Sequence, residues 1–143
     1  MIAHIRESDG AAQPLSAHCE AVGRLCSASA QAIGLPHLAR LMGLLHDMGK
    51  ATKQFEAYLR AALSENAAAS PHHHAPTGAI YAYRRWFLRP GAAPCARATA
   101  QIIMLCISGH HAGLADCLDQ RGMSPLLQGL VAETRPVHAD EAI

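Results

Sequence analysis

Histidine gives this chain its clearest chemical signal. The 143 residues include 10 histidines, and a neutral imidazole is the most common metal ligand in proteins. The informative histidines fall at four places, each near a predicted helix end or on an inward helix face. These places are His18, His46-Asp47, His72-His73-His74 and His110-His111. Four helices of a bundle can bring such residues together, and a mixed imidazole and carboxylate cluster suits a pair of transition-metal ions better than magnesium.

Each of these signals has a simpler interpretation when it is taken alone. An inward-facing histidine such as His18 is more often a hydrogen-bonded core residue than a ligand. Three consecutive histidines can form a solvated loop, and His110-His111 can be an ordinary helix end beside Gly109 and Gly113. The prediction of a metal site therefore depends mainly on the order of the four places along the chain.

Helical spacing of apolar residues predicts the elements that position these histidines. The chain has 29 alanines against 11 isoleucines and valines together, which favours helix over strand. The first 14 residues show no clear period. The predicted helices cover residues 15–33, 36–48, 55–63, 77–88 and 95–108, and a short sixth begins at Ser124-Pro125. We therefore expect an all-α fold, a single helical bundle over residues 1–143 with the metal site between its helices.

The second predicted helix ends with an electrostatic conflict. Asp47 lies in its last turn, where a carboxylate faces the negative end of the helix dipole. This arrangement is unfavourable by itself. A cation close to Asp47 would offset it, which again favours a metal site.

Composition excludes several other classes of protein. A formal net charge of +1 is too small for a broad basic surface that binds duplex DNA by charge alone. The five cysteines include no CxxC pair, so we expect reduced, mostly buried thiols rather than a disulfide framework or a zinc ribbon. No apolar run approaches the roughly 20 residues that span a bilayer, and the N-terminus has no signal-peptide pattern. We therefore expect no membrane contact and a cytoplasmic location.

The order of the motifs resembles the HD phosphohydrolase superfamily. More narrowly, it resembles the HD nuclease domain of the CRISPR-associated helicase-nuclease of type I systems. The resemblance covers roughly residues 2–118, and LLHDxGK combined with HHxGL is specific for this family. The matching segments are Ala3-His4-Ile5-Arg6, Gln13-Pro14-Leu15-Ser16-Ala17-His18, Leu44-Leu45-His46-Asp47-Met48-Gly49-Lys50, His74-Ala75-Pro76-Thr77-Gly78-Ala79 and Gly109-His110-His111-Ala112-Gly113-Leu114.

The resemblance implies a role for particular residues. A first metal would be bound by His18, His46 and Asp47, and Asp47 would bridge to a second metal bound by His74, His110 and His111. Lys50 would lie near the scissile phosphate, so the implied catalytic residues are Asp47 and Lys50. One or two divalent ions are implied, namely Mn²⁺, Ni²⁺, Co²⁺ or Fe²⁺. The family also has a late aspartate in a further helix, and the aspartates that follow His111 here (Asp116, Asp119 and Asp140) do not match its motif.

The resemblance further implies a metal-dependent nuclease that cleaves single-stranded DNA in CRISPR antiviral defence, with water activated by two metals. The chain contains no GxxxxGK[ST] loop, so a helicase region or subunit and a CRISPR surveillance complex are the expected partners. Aromatic and basic residues between Tyr81 and Arg89 could contact a DNA strand, or the aromatic ones could be core. Two alternatives remain: a phosphohydrolase acting on a small nucleotide, and a catalytically silent metal-binding helical module.

Overall fold

The computed structural model describes residues 1–6, 8–62, 76–111, 113–114 and 116–132. This part of the chain forms a short antiparallel hairpin followed by six α-helices. The strands are β1 (Ile2–Ile5) and β2 (Ala12–Pro14). The helices are α1 (Leu15–Ser29), α2 (Pro36–Leu45), α3 (Lys53–Ala62), α4 (Pro76–Ala82), α5 (Pro94–Gly109) and α6 (Pro125–Ala132). Two 3-10 turns, Gln31–Ile33 and Met48–Ala51, follow α1 and α2, and a π-helical turn, Tyr83–Phe87, extends α4.

The expected all-α class is confirmed, although some boundaries and the N-terminal segment differ. The first predicted helix becomes an α-helix plus a 3-10 turn that ends at Gly34, whose φ of 71° is left-handed. The second ends at Leu45, because the backbone leaves helical geometry at Asp47 with φ −104° and ψ 20°. The hairpin was not predicted, since its strands are only four and three residues long.

A close crossing of α1 and α2 brings the first two predicted ligand segments together. A Cβ atom added to Gly43 would lie 2.7 Å from the Cα of Gly23 on the neighbouring helix. The two backbones therefore meet with no side chain between them. This contact holds the beginning of α1, with His18, beside the end of α2, with His46.

The core lies between α4, α5 and α6. Its fully buried side chains include Ile103, Met104 and Ile107 on one face of α5, which is the period expected of an amphipathic helix. Ala79 and Ala82 of α4 are completely buried against it. A Cβ atom on Gly78 would collide with the carbonyl oxygen of Leu45, so α4 lies directly against the end of α2.

The aromatic residues after α4 belong to the core rather than to a separate surface. Tyr83, Trp86 and Phe87 pack against the buried cluster, and the Tyr83 and Phe87 rings are stacked with centroids 5.4 Å apart. Arg85 and Arg89 are exposed beside them. In the described segments, no helix is both long enough and apolar enough to cross a membrane.

Candidate metal centre

Asp47 lies at the centre of the candidate site because the chain turns inward where α2 ends. His46 still has helical angles, and Asp47 is the N-cap residue of the 3-10 turn that follows. Only 2% of the Asp47 surface is exposed. A buried carboxylate at the negative end of a helix needs positive charge or hydrogen-bond donors around it.

The structure surrounds this carboxylate with imidazole nitrogens. Nε2 of His18 lies 3.0 Å from Oδ2 of Asp47, and Nε2 of His46 lies 3.2 Å from the same oxygen. The two nitrogens are 3.2 Å apart. Ligand atoms bound about 2.1 Å from a common ion and at right angles are separated by about 3 Å. The three atoms therefore have the spacing of one face of a coordination shell.

Hydrogen bonds to backbone carbonyls fix which nitrogen of two rings faces Asp47. Nδ1 of His46 lies 2.8 Å from the Gly43 oxygen, and Nδ1 of His110 lies 2.6 Å from the Ile107 oxygen. A carbonyl oxygen only accepts, so each Nδ1 carries a proton and donates it. In the neutral rings, Nε2 then has its lone pair directed at the carboxylate. This is the arrangement by which proteins orient metal-binding histidines.

A second group of donor atoms lies on the other side of Asp47. Nε2 of His110, the residue that follows α5, is 3.6 Å from Oδ1 of Asp47. His111 lies beside it, with ring centroids 4.0 Å apart. Asp47, His110 and His111 each offer one donor atom, and these atoms lie within 4.8 Å of one another. The group could therefore hold a metal ion.

Lys50 places a positive charge of the protein itself beside Asp47. Its Nζ is 2.8 Å from Oδ2 of Asp47, and only 4% of its side chain is exposed. Nζ also lies 5.7 Å from the centre of the Phe55 ring. The turn that carries Lys50 is held by Thr52, whose buried hydroxyl donates to the Gly49 carbonyl and accepts from the Phe55 N–H.

The pKa values of two histidines beside Asp47 shift in opposite directions. Burial lowers the pKa of His18 below its ordinary value of 6.5, although Asp47 acts in the other direction. The Asp47 carboxylate, 3.6 Å from Nε2, raises the pKa of His110 above 6.5, and the Ile107 carbonyl contributes to this shift. Relative to an ordinary histidine, His18 therefore favours the neutral, ligand form, whereas His110 favours the protonated form, whose proton a metal ion would displace.

Most of the residues predicted from sequence meet at one place. The rings of His18, His46, His110 and His111 follow one another with centroid separations of 5.2, 5.3 and 4.0 Å. His74, together with His72 and His73, lies outside the described residues, so its predicted role stays a prediction.

Two residues outside the predicted ligand set have defined surroundings. Asp119 accepts hydrogen bonds from the N–H groups of Arg121 and Met123 in a turn, in keeping with its lack of a ligand motif. Sequence reasoning missed His4, whose ring is 4.8 Å from that of His18. The only signal for His4 was its place in the opening Ala3-His4-Ile5-Arg6, to which no chemical role was attached.

The described residues thus form an all-α domain in which a buried carboxylate lies among imidazoles from several elements, the donor set of a metal site. A family model described as the HD domain matches residues 15–120, well over half of the chain. The chain therefore belongs to the HD domain family, within a superfamily of metal-dependent phosphohydrolases. A comparison with curated proteins gave no match.

Proposed function

We propose that this chain is a metal-dependent nuclease domain that cleaves single-stranded DNA in CRISPR antiviral defence. The observation that carries the proposal is the buried Asp47 carboxylate, with imidazole nitrogens 3.0, 3.2 and 3.6 Å from its oxygens. The joint presence of LLHDxGK and HHxGL supports the nuclease branch over other HD proteins. These motifs lie at residues 44–50 and 110–114.

The donor set fits divalent transition metals. Nitrogen from imidazole and oxygen from one carboxylate suit Mn²⁺, Fe²⁺, Co²⁺ and Ni²⁺. His18, His46 and Asp47 would hold one ion, and Asp47, His110 and His111 a second, with His74 as a further ligand. When bound, such ions polarise phosphoryl oxygens and lower the pKa of water, which is the chemistry that phosphodiester hydrolysis requires.

The protein's own residues have three tasks in this proposal. Asp47 would supply negative charge to both ions, and the Gly43 and Ile107 carbonyls keep the His46 and His110 rings turned towards it. Lys50 orients the Asp47 carboxylate at 2.8 Å. Its ammonium also places positive charge where a phosphate bound at the centre would develop negative charge. No side chain needs to act as a nucleophile.

A flexible single strand is the proposed form of the DNA. The site lies among helix ends, where an extended backbone can enter more readily than a duplex. Arg85 and Arg89 are exposed and could contact phosphates along such a strand. Because the chain contains no GxxxxGK[ST] loop, we propose that a helicase region or subunit supplies the strand and that a CRISPR surveillance complex recruits the enzyme.

A substrate panel with matched variants tests the proposal. The wild-type chain and D47N are incubated with Mn²⁺, Co²⁺ or Ni²⁺ and with circular single-stranded DNA, duplex DNA or nucleotides. D116N is the control, because Asp116 is exposed. We expect wild type and D116N to cleave circular single-stranded DNA, and we expect D47N or a chelator to abolish cleavage. Circular dichroism verifies that D47N is folded.

The other outcomes identify the competing functions. Hydrolysis of nucleotides without DNA cleavage would favour a small-nucleotide phosphohydrolase. Metal binding without hydrolysis of any substrate would favour a catalytically silent module. Either outcome would contradict the nuclease proposal.

A further inference from the structure

The N-terminal hairpin brings a histidine into the centre from outside the residues that the HD family model matches, which begin at residue 15. His4, His18 and Asp47 each offer one donor atom, and these atoms lie within 4.8 Å of one another. The group could therefore hold a metal ion. The His4 and His18 rings meet edge to face, with centroids 4.8 Å apart. His4 is therefore as close to the centre as several of the predicted ligands.

We propose that His4 is a further ligand of the metal centre, binding through Nε2 the same ion as His18 and Asp47. The inference rests on the proposed function only in requiring that the centre binds a divalent metal. It adds a neutral nitrogen donor to the set of His18, His46 and Asp47. Imidazole-rich sets of this kind favour late transition metals over magnesium.

A contact with Lys50 shows which way the His4 ring faces. Nζ of Lys50 lies 3.2 Å from Nε2 of His4. An ammonium group only donates hydrogen bonds, so Nε2 is the acceptor and carries the lone pair. The same Nζ is 2.8 Å from Oδ2 of Asp47. The lone pair that a metal ion needs therefore faces the Lys50 ammonium, which itself lies beside the carboxylate.

The strand pairing is irregular at the position where this ring is presented. Ile2 pairs with Pro14 and His4 pairs with Gln13. An advance of two residues along β1 therefore matches an advance of one residue along β2. The extra residue, Ala3, is buried, with 2% of its surface exposed. Bulges of this kind bend a strand and re-aim a side chain, and they are frequent beside functional sites.

The hairpin is fixed relative to α1. Strand β2 ends at Pro14 and α1 begins at Leu15 with no intervening loop. The Leu15 N–H donates to the Met1 carbonyl at 3.2 Å, which closes the hairpin against the start of the helix. His18 lies in the first turn of α1, so β1 and α1 present His4 and His18 as one unit.

Cobalt(II) binding to the full chain tests the inference without any assay of activity. H4Q removes the imidazole but keeps an oxygen that can accept the Lys50 hydrogen bond. H37Q is the matched control, since His37 is exposed on α2. By titration calorimetry, we expect H4Q to lose about tenfold or more in affinity for Co²⁺, in the range found for groups that support metal ligands. H37Q should bind as the wild type does.

A gain-of-signal variant provides an independent readout. H4C should add a sulfur-to-cobalt charge-transfer absorption to the wild-type spectrum, because a thiolate at position 4 would bind the ion directly. H37C should add none. Circular dichroism of each variant verifies the fold.

The possible results separate this inference from the proposed function. If wild type binds Co²⁺ while H4Q keeps wild-type affinity, or while H4C adds no charge-transfer band, His4 is not a ligand and only this inference fails. If wild type binds no Co²⁺, Mn²⁺ or Ni²⁺, the proposed metal-dependent function fails as well.

Discussion

Asp47 concentrates the electrostatics of the centre in one buried carboxylate. The nitrogens of His18, His46 and Lys50 lie within 3.2 Å of its Oδ2 atom. Removing two charges from water costs about as much as their attraction returns, so a buried ion pair contributes little net stability. The arrangement is therefore better explained by a need to hold cations than by a need to stabilise the fold.

The opposite pKa shifts of two histidines lead to a prediction for the chelator-treated protein. Burial lowers the pKa of His18, and the nearby Asp47 carboxylate raises that of His110. As the pH falls from 8, His110 should take up its proton above pH 6.5, and His18 should stay neutral until below pH 6.5. NMR titration of the imidazole signals measures both midpoints. Equal midpoints, or the reverse order, would contradict the dominance of burial at His18 and of the Asp47 interaction at His110.

The three consecutive histidines provide a prediction with an internal control. H74A should reduce the bound metal by up to one ion per chain, whereas H72A should leave the metal content unchanged, because only His74 matches the family motif by position. Metal analysis of the purified variants measures the difference. The same loss in both variants would mean that the motif has been placed on the wrong histidine.

The elements explain why some of the structure could be predicted from sequence and some could not. Helices α2 and α5 have clear apolar periods, so their existence, the start of α2 at Pro36 and the end of α5 at Gly109 were readable. His46 and Asp47 were recognised by motif, but no local pattern shows that the chain turns inward at Asp47. The β1 strand is too short for its period to be visible, which is why His4 was missed.

Replacing two glycines by alanine should change the free energy of unfolding in opposite directions. In G43A, the new Cβ would lie 2.7 Å from the Gly23 backbone, so α1 and α2 must move apart at a cost of about 1–3 kcal/mol. Gly129 of α6 has no heavy atom within 4 Å of an added Cβ. G129A should therefore stabilise the protein by about 0.5–1 kcal/mol through helix propensity.

Urea unfolding measures both free-energy changes. G43A should also bind metal more weakly, because the α1–α2 contact holds His18 beside His46. A G43A protein with wild-type stability and wild-type metal affinity would contradict the role assigned to this crossing.

The whole molecule should respond to the metal in its thermal stability. A ligand that binds only the folded state stabilises it by about 2.7 kcal/mol at 100 times its dissociation constant. We expect Mn²⁺ or Co²⁺ to raise the melting temperature, a chelator to reverse the rise, and D47N to abolish it. Calorimetry with and without the ions measures the change in melting temperature. If the melting temperature of the wild type did not change with the ions, this would argue against a metal centre.

The separation of the site residues along the chain has a mechanical consequence. His18 and His46 are 28 positions apart, and His110 lies far beyond both. With His18 and His46 on one ion, His110 on the other and Asp47 shared, the two ions would act as removable cross-links that close two long loops, much as a disulfide does by restricting the unfolded chain. In a chain rich in alanine, the metal would then stabilise the folded bundle as well as take part in its chemistry.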